Sequence, residues 1–205
     1  MSVFDDGSAV ERALSLLGSA LEVQGAVPYD IVVVGGAAMS VLGIGIRPTK
    51  DVDVLGLCED STGSMDRTLA KHKPLPEALL AAAATVADAM GLDSDWLNAG
   101  PADLLDHGLP EGFDLRLTSR SYGLRLTVWL PSREDLISLK TYAAADAGVG
   151  RHTEDLEALR PSCEELIAGA LWAQSQDPTE EFRAMLAGLL RYFDCEVAVE
   201  ELDHG

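Results

Sequence analysis

The sequence predicts an α+β protein, a mixed β-sheet with flanking helices joined to a helical C-terminal subdomain. Three observations predict it. Ile31-Val32-Val33-Val34 is an unbroken β-branched run, the pattern of a central strand buried on both faces. Asp51-Val52-Asp53-Val54-Leu55 alternates polar with apolar, so it reads as a second strand with one face on the core. Beyond Pro131 every patterned segment is helical. The expected division is therefore a sheet domain over 1–130 and a helical subdomain over 131–205 that completes a cleft.

The elements follow in order. Val10, Ala13, Leu14, Leu17 and Leu21 recur at helical spacing, and Pro28 ends any helix. After the Ile31–Val34 strand, Gly35-Gly36 leads into a short helix over Ala37–Leu42, stopped by Gly43 and Gly45. Glu59 to Pro74 is polar and without period, the composition of a mobile loop. Ala-rich Leu75–Met90 forms a helix closed by Gly91. Trp96-Leu97-Asn98 is a short strand, while Leu115–Leu117 and Leu124–Leu130 form a hairpin turning near Ser121-Tyr122-Gly123. Ser132 caps a helix running through Lys140 to about Asp146, with Asp135 three residues after the cap. Three more helices are expected over Thr153–Leu159, Cys163–Gln174 and Thr179–Phe193.

Composition removes several classes of function. The chain of 205 residues is 47% hydrophobic and 24% charged, which is globular rather than disordered. Its longest apolar stretch, Ile31–Ile46, is interrupted by four glycines and Ser40, so it falls short of the ~20 apolar residues of a membrane span. The segment Met1-Ser2-Val3-Phe4-Asp5-Asp6 carries acids where a secretory leader carries bases, so a cytoplasmic protein is expected. Cys58, Cys163 and Cys195 are odd in number and far apart, so they are expected to be reduced and incidental.

The net charge of −19 opposes broad contact with a polyanion, but it is unevenly spread. Residues 1–115 hold 6 bases and 18 acids (−12), and residues 161–205 hold 2 and 10 (−8). Residues 116–160 hold 7 and 6 (+1), so a nucleic-acid end that binds at all is expected there; an ordinary solvated surface is the other reading.

The chemistry is concentrated around two short motifs. Asp51 and Asp53 stand two apart on a strand, so both carboxylates project from one face. Adjacent like charges need a compensating cation, and a hard, oxygen-seeking ion such as Mg²⁺ suits them. A solvated strand face is the alternative for the pair alone. Gly35-Gly36 sits where a buried strand passes into a helix, which lets a ligand approach the backbone and leaves N–H groups for an anion. The segment Gly35-Gly36-Ala37-Ala38-Met39-Ser40 does not fit G-x-G-x-x-G, and no G-K-[ST] is present, so dinucleotide and P-loop sites are disfavoured.

Gly35-Gly36, fourteen intervening residues and Asp51-Val52-Asp53-Val54 resemble the signature of the DNA polymerase β-like nucleotidyltransferase superfamily. Gly35-Gly36-Ala37-Ala38 with Arg47-Pro48-Thr49-Lys50-Asp51-Val52-Asp53 is similar to its AbiEii/MenT branch, the toxins of toxin–antitoxin pairs. Leu136-Ile137-Ser138-Leu139-Lys140 and Arg151-His152-Thr153-Glu154-Asp155-Leu156 are similar to that branch's second block. The resemblance implies a nucleotidyltransferase-like fold and transfer of a nucleoside monophosphate from an NTP to an acceptor hydroxyl, such as a tRNA 3′ end. It further implies Mg²⁺ on Asp51 and Asp53, phosphates on Gly35 and Gly36, and a hydroxyl from Thr49. Lys140 would neutralise triphosphate charge, Asp155 would be the late acid, Arg151 would reach phosphate, and an antitoxin would be the partner. Thr49 as a turn residue, Lys140 as a helix face and Asp155 with Arg151 as a helix-start pair are the structural alternatives. Ala37 stands where many members carry a hydroxyl residue, and the side of the third carboxylate falls to Asp114, Asn98 or Asp155. A small-molecule acceptor such as an aminoglycoside, a protein acceptor, and a catalytically silent binding module are the competing expectations.

Overall fold

A computed structural model describes residues 4–45, 48–60 and 67–195, and for Asp60 and Arg67 the backbone alone. The chain divides into two compact units. The first is Met1–Asp106 with Gly112–Pro131, and the second is His107–Glu111 with Ser132–Gly205.

The first unit contains α1 (Gly7–Val23), β1 (Tyr29–Val34), α2 (Gly35–Leu42), β2 (Val52–Asp60), β3 (Arg67–Ala70), α3 (Glu77–Met90), β4 (Leu97–Asn98), β5 (Thr118–Ser121) and β6 (Leu126–Leu130). Its sheet runs β3-β2-β1-β6-β5, with β4 also paired to β2. β1 is parallel to β6 and antiparallel to β2, so the sheet is mixed, as the sequence predicts. The β-branched run lies in the middle, where Ile31, Val32 and Val33 have no solvent exposure. Strand β2 has neighbours on both sides, β1 on one and β4 and β3 along the other.

Helix α1 buries Val10, Ala13, Leu14, Leu17 and Leu21 completely, its predicted apolar stripe. Each large side chain of that stripe contributes about 1.5–3 kcal/mol of apolar burial. The Asp6 carboxylate caps the helix by accepting the Ala9 N–H at 3.0 Å. Trp96, 1% exposed, anchors the opposite end of the core. Its indole N–H donates to the Ala83 carbonyl at 2.9 Å, and its ring meets Phe4 edge-on at 6.1 Å.

The second unit comprises α4 (Arg133–Ala147), α5 (Arg151–Leu159), α6 (Cys163–Gln176) and α7 (Glu180–Tyr192). Ser132 caps α4 as predicted: its hydroxyl accepts the Asp135 N–H and donates to Asp135 Oδ2 at 2.7 Å. Helix α4 is in contact with the other three and buries polar residues as well as apolar ones, among them Ser138, Lys140 and Thr141. Gly169 allows α6 to approach closely, since a Cβ there would stand 3.1 Å from Thr141 Oγ1 and 3.2 Å from Ser138 Cα.

Three expectations are corrected. The Glu59–Pro74 segment is not one loop: β2 continues to Asp60 and β3 pairs back on it, joining Leu57 to Ala70 and Cys58 to Leu69. The loop signal there came from residues 61–66, which lie outside the described residues, as does Arg47 of the motif. In the hairpin, the first strand is Thr118–Ser121, whereas Asp114–Arg116 is a 3-10 turn with Leu115 largely exposed. Finally, Cys163 and Cys195 are not incidental thiols. They form a disulfide that ties the first residue of α6 to the residue group after α7, while Cys58 is free of any disulfide.

Candidate active site

The site begins with sheet register. β1 runs into α2 at its carboxyl end, and β2, being antiparallel, starts beside that end, with Val34 opposite Asp53. On the other side β4 is parallel to β2 and sets Asn98 opposite Asp53. Three chain segments therefore meet at one rim of the sheet. Val52 and Val54 are fully buried while Asp51 and Asp53 are half-buried, so the alternation read from the sequence holds here.

Gly35, the first residue of α2, has φ +72, a conformation that side chains disfavour. It is also a space requirement: a Cβ there would stand 2.7 Å from Asp53 Oδ2. The carboxylate thus fills the space that a side chain at the start of the helix would take. Among the described residues no side chain caps α2 at Val34, and the positive end of the helix dipole lies on the side of Asp53. The other carboxylate oxygen faces the β4 side. A Cβ on Gly100 would lie 4.0 Å from Asp53 Oδ1 and 2.9 Å from Asn98 Oδ1, which accepts the Gly100 N–H at 2.7 Å. Asp53 is held between two glycine-bearing turns.

The turn after Asn98 continues as a 3-10 segment, Gly100–Asp106, fastened by charge. Lys71 pairs with Asp103 at 2.8 Å and Asp106 at 2.6 Å, and Lys73 with Asp103 at 2.5 Å. Hydrogen bonds from these two ammonium groups hold the Asp103 carboxyl down at about 2.

The remaining sequence-predicted residues are placed as follows. Thr49 is buried, its backbone bridges to Phe4, and its hydroxyl donates to the Asp51 carbonyl at 3.2 Å. In the second unit, Lys140 and Asp155 come together: Nζ and Oδ2 are 2.5 Å apart, with side chains 6% and 5% exposed. The expectation that the Lys140 stem leaves the core is corrected, since the ammonium is enclosed and answered by a carboxylate. Arg151, exposed at the start of α5, donates from Nε to His152 Nε2 at 3.1 Å. Gly36 is part of the first turn of α2. Asp114 begins the 3-10 turn of the hairpin. Gly100 escaped sequence reasoning: an isolated Asn-x-Gly in a turn carries no chemical signal until register sets it beside an acid.

Asp51 and Asp53 supply hard anionic oxygens, and Gly35 keeps a Cβ out of the space of the Asp53 carboxylate; this donor set fits a divalent cation such as Mg²⁺. Among the described residues, no group of three or more His, Cys, Asp or Glu side chains is arranged to hold a metal ion. The chain belongs to a family described as nucleotidyltransferase of unknown function, DUF6036, which it matches over residues 12–159. No curated protein and no solved structure matched it. Among the described residues, no helix is long and apolar enough to cross a membrane.

Proposed function

We propose that this nucleotidyltransferase moves a nucleoside monophosphate from an NTP to an acceptor hydroxyl with Mg²⁺ held by Asp51 and Asp53. The single observation that carries the reading is that the Asp53 carboxylate fills the space beside Gly35, where a Cβ would fall 2.7 Å from Oδ2, at the start of α2. It sets acceptor oxygens for a cation next to N–H donors for an anion, the two needs of a metal–triphosphate. Bound there, Mg²⁺ would withdraw charge from the α-phosphate. The chain's own part is to receive the phosphates on the α2 backbone, to orient them through Gly35 and Gly36, and to accept the hydroxyl proton on a carboxylate. A bond forms from the acceptor oxygen to the α-phosphorus while the bond to pyrophosphate breaks.

For the acceptor we infer an RNA 3′ end, with tRNA the leading case, and for the biological role the AbiEii/MenT kind: a toxin restrained by an antitoxin protein. The support is the motif resemblance and the change of charge from −12 over residues 1–115 to +1 over residues 116–160. This reading sets the protein in the cytoplasm, where NTPs and tRNA meet. One observation favours a second acceptor class: a net charge of −19 attracts cationic small molecules such as aminoglycosides.

The experiment is incubation with each labelled NTP, Mg²⁺ and total RNA, with aminoglycosides and proteins as parallel acceptors. Label in RNA that is lost in Asp51→Ala and Asp53→Ala supports the reading. Label in the amines alone selects the second acceptor. No label in any fraction, with the variants indistinguishable from wild type, leaves a silent binding module.

A further inference from the structure

The Asn98–Gly100 turn is the part of the site rim that the acid-pair chemistry does not use. Asn98 stands in register with Asp53 on the adjacent parallel strand, and opposed residues of such a pair share a face of the sheet. The Asn98 amide is not free to rotate, because its Oδ1 accepts the Gly100 N–H at 2.7 Å. An amide fixed through its oxygen keeps its NH₂ as a remaining donor. Gly100 keeps the space between that amide and the carboxylate open: a Cβ there would meet Asn98 Oδ1 at 2.9 Å and Asp53 Oδ1 at 4.0 Å. On the opposite side, Gly35 leaves room for Asp53 Oδ2, which a Cβ there would meet at 2.7 Å.

We propose that Asn98, locked by Gly100, is a positioning residue that sets the Asp53 carboxylate in its cation-binding orientation. The proposal rests on the reading of Asp51 and Asp53 as a cation site. It acts through Asp53: the turn limits the carboxylate to the orientation in which one oxygen faces α2 and the other stays on the rim. Groups that orient a ligand from behind change metal affinity about 10–100-fold when removed.

The test uses the full chain with Mn²⁺ as the probe, counted and titrated by electron paramagnetic resonance, with a thermal melt of each variant. Asp53→Asn should lose Mn²⁺ binding. Asn98→Ala should weaken it about tenfold, and Gly100→Ala should do the same by crowding the amide. Asn98→Asp keeps an acceptor for the Gly100 N–H and should restore binding to at least the wild-type level. A turn with a merely structural role predicts a lower melting temperature in Asn98→Ala with Mn²⁺ affinity unchanged. That result, with binding still lost in Asp53→Asn, overturns the positioning role and leaves the cation site standing. Wild-type binding in Asp53→Asn removes the cation site and the positioning role together. Should Asn98→Ala fail to fold, Gly100→Ala and Asn98→Asp decide the matter on the same readout.

Discussion

The Asp53 carboxylate occupies the space that a side chain on residue 35 would need: a Cβ on Gly35 would fall 2.7 Å from Asp53 Oδ2. An acid on one strand and a glycine that ends its neighbour are thereby one structural object. Gly35→Ala should be costly twice over. The left-handed φ of +72 costs about 1–3 kcal/mol with a side chain present, and the methyl displaces the carboxylate. We expect a lower denaturation midpoint together with loss of Mn²⁺ binding, measured by urea unfolding and by titration. A variant that melts like wild type and binds the ion equally would separate the glycine from the site.

The Lys140–Asp155 pair is buried, and its two partners should respond unequally to removal. Lys140→Met leaves a carboxylate enclosed without its cation, a loss of about 3–5 kcal/mol. The double variant Lys140→Met, Asp155→Leu should recover most of that, because an apolar pair of similar volume avoids the desolvation cost altogether. Chemical denaturation of wild type, Lys140→Met, Asp155→Leu and the double variant checks the cycle.

The Cys163–Cys195 disulfide closes a span of 32 residues around α6 and α7. Such a loop restricts the unfolded chain enough to contribute about 3.5 kcal/mol. Reduction with a dithiol, or Cys195→Ser, should lower the melting temperature of the helical unit by a matching amount. Cys58→Ser should leave the reductant response intact.

Asp103 gives a pH dependence whose sign is fixed. Its carboxyl is lowered to about 2 by hydrogen bonds from Lys71 and Lys73, below the ordinary 3.8. The folded state is therefore favoured by these pairs above about pH 4, and that contribution is lost as pH falls through about 2. Replacing Lys71 and Lys73 by Met should return the Asp103 titration toward 3.8, as followed by carboxyl NMR.

Much of the sheet was legible because its signals are local. The β-branched run of β1, the alternation at Asp51–Val54 and the Ser132 cap each encode their own conformation within a few residues. The acid pair and Gly35 were readable for the same reason. What escaped notice depends on partners distant in sequence. β3 exists because it pairs with β2, and its four residues have no period of their own. Gly100 comes near the acid because the parallel register sets Asn98 opposite Asp53, 45 residues upstream of Asn98. The disulfide joins cysteines whose spacing matches no motif; the helical hairpin of α6 and α7 brings them together. The pairing of Lys140 with Asp155 joins residues on two successive helices, so no local pattern announces it.

The two walls around Asp53 are fastened by different forces. On one side stands β1, sealed from water along the apolar run that ends at the acid pair. On the other stand two rungs of β4 and a 3-10 segment moored by lysine–aspartate pairs at the surface. Dissolved salt weakens the second kind of mooring and leaves the first untouched. The surroundings of Asp53 thus pair a fixed jaw with an adjustable one, and ionic strength reaches Leu97–Asp106 before it reaches β1.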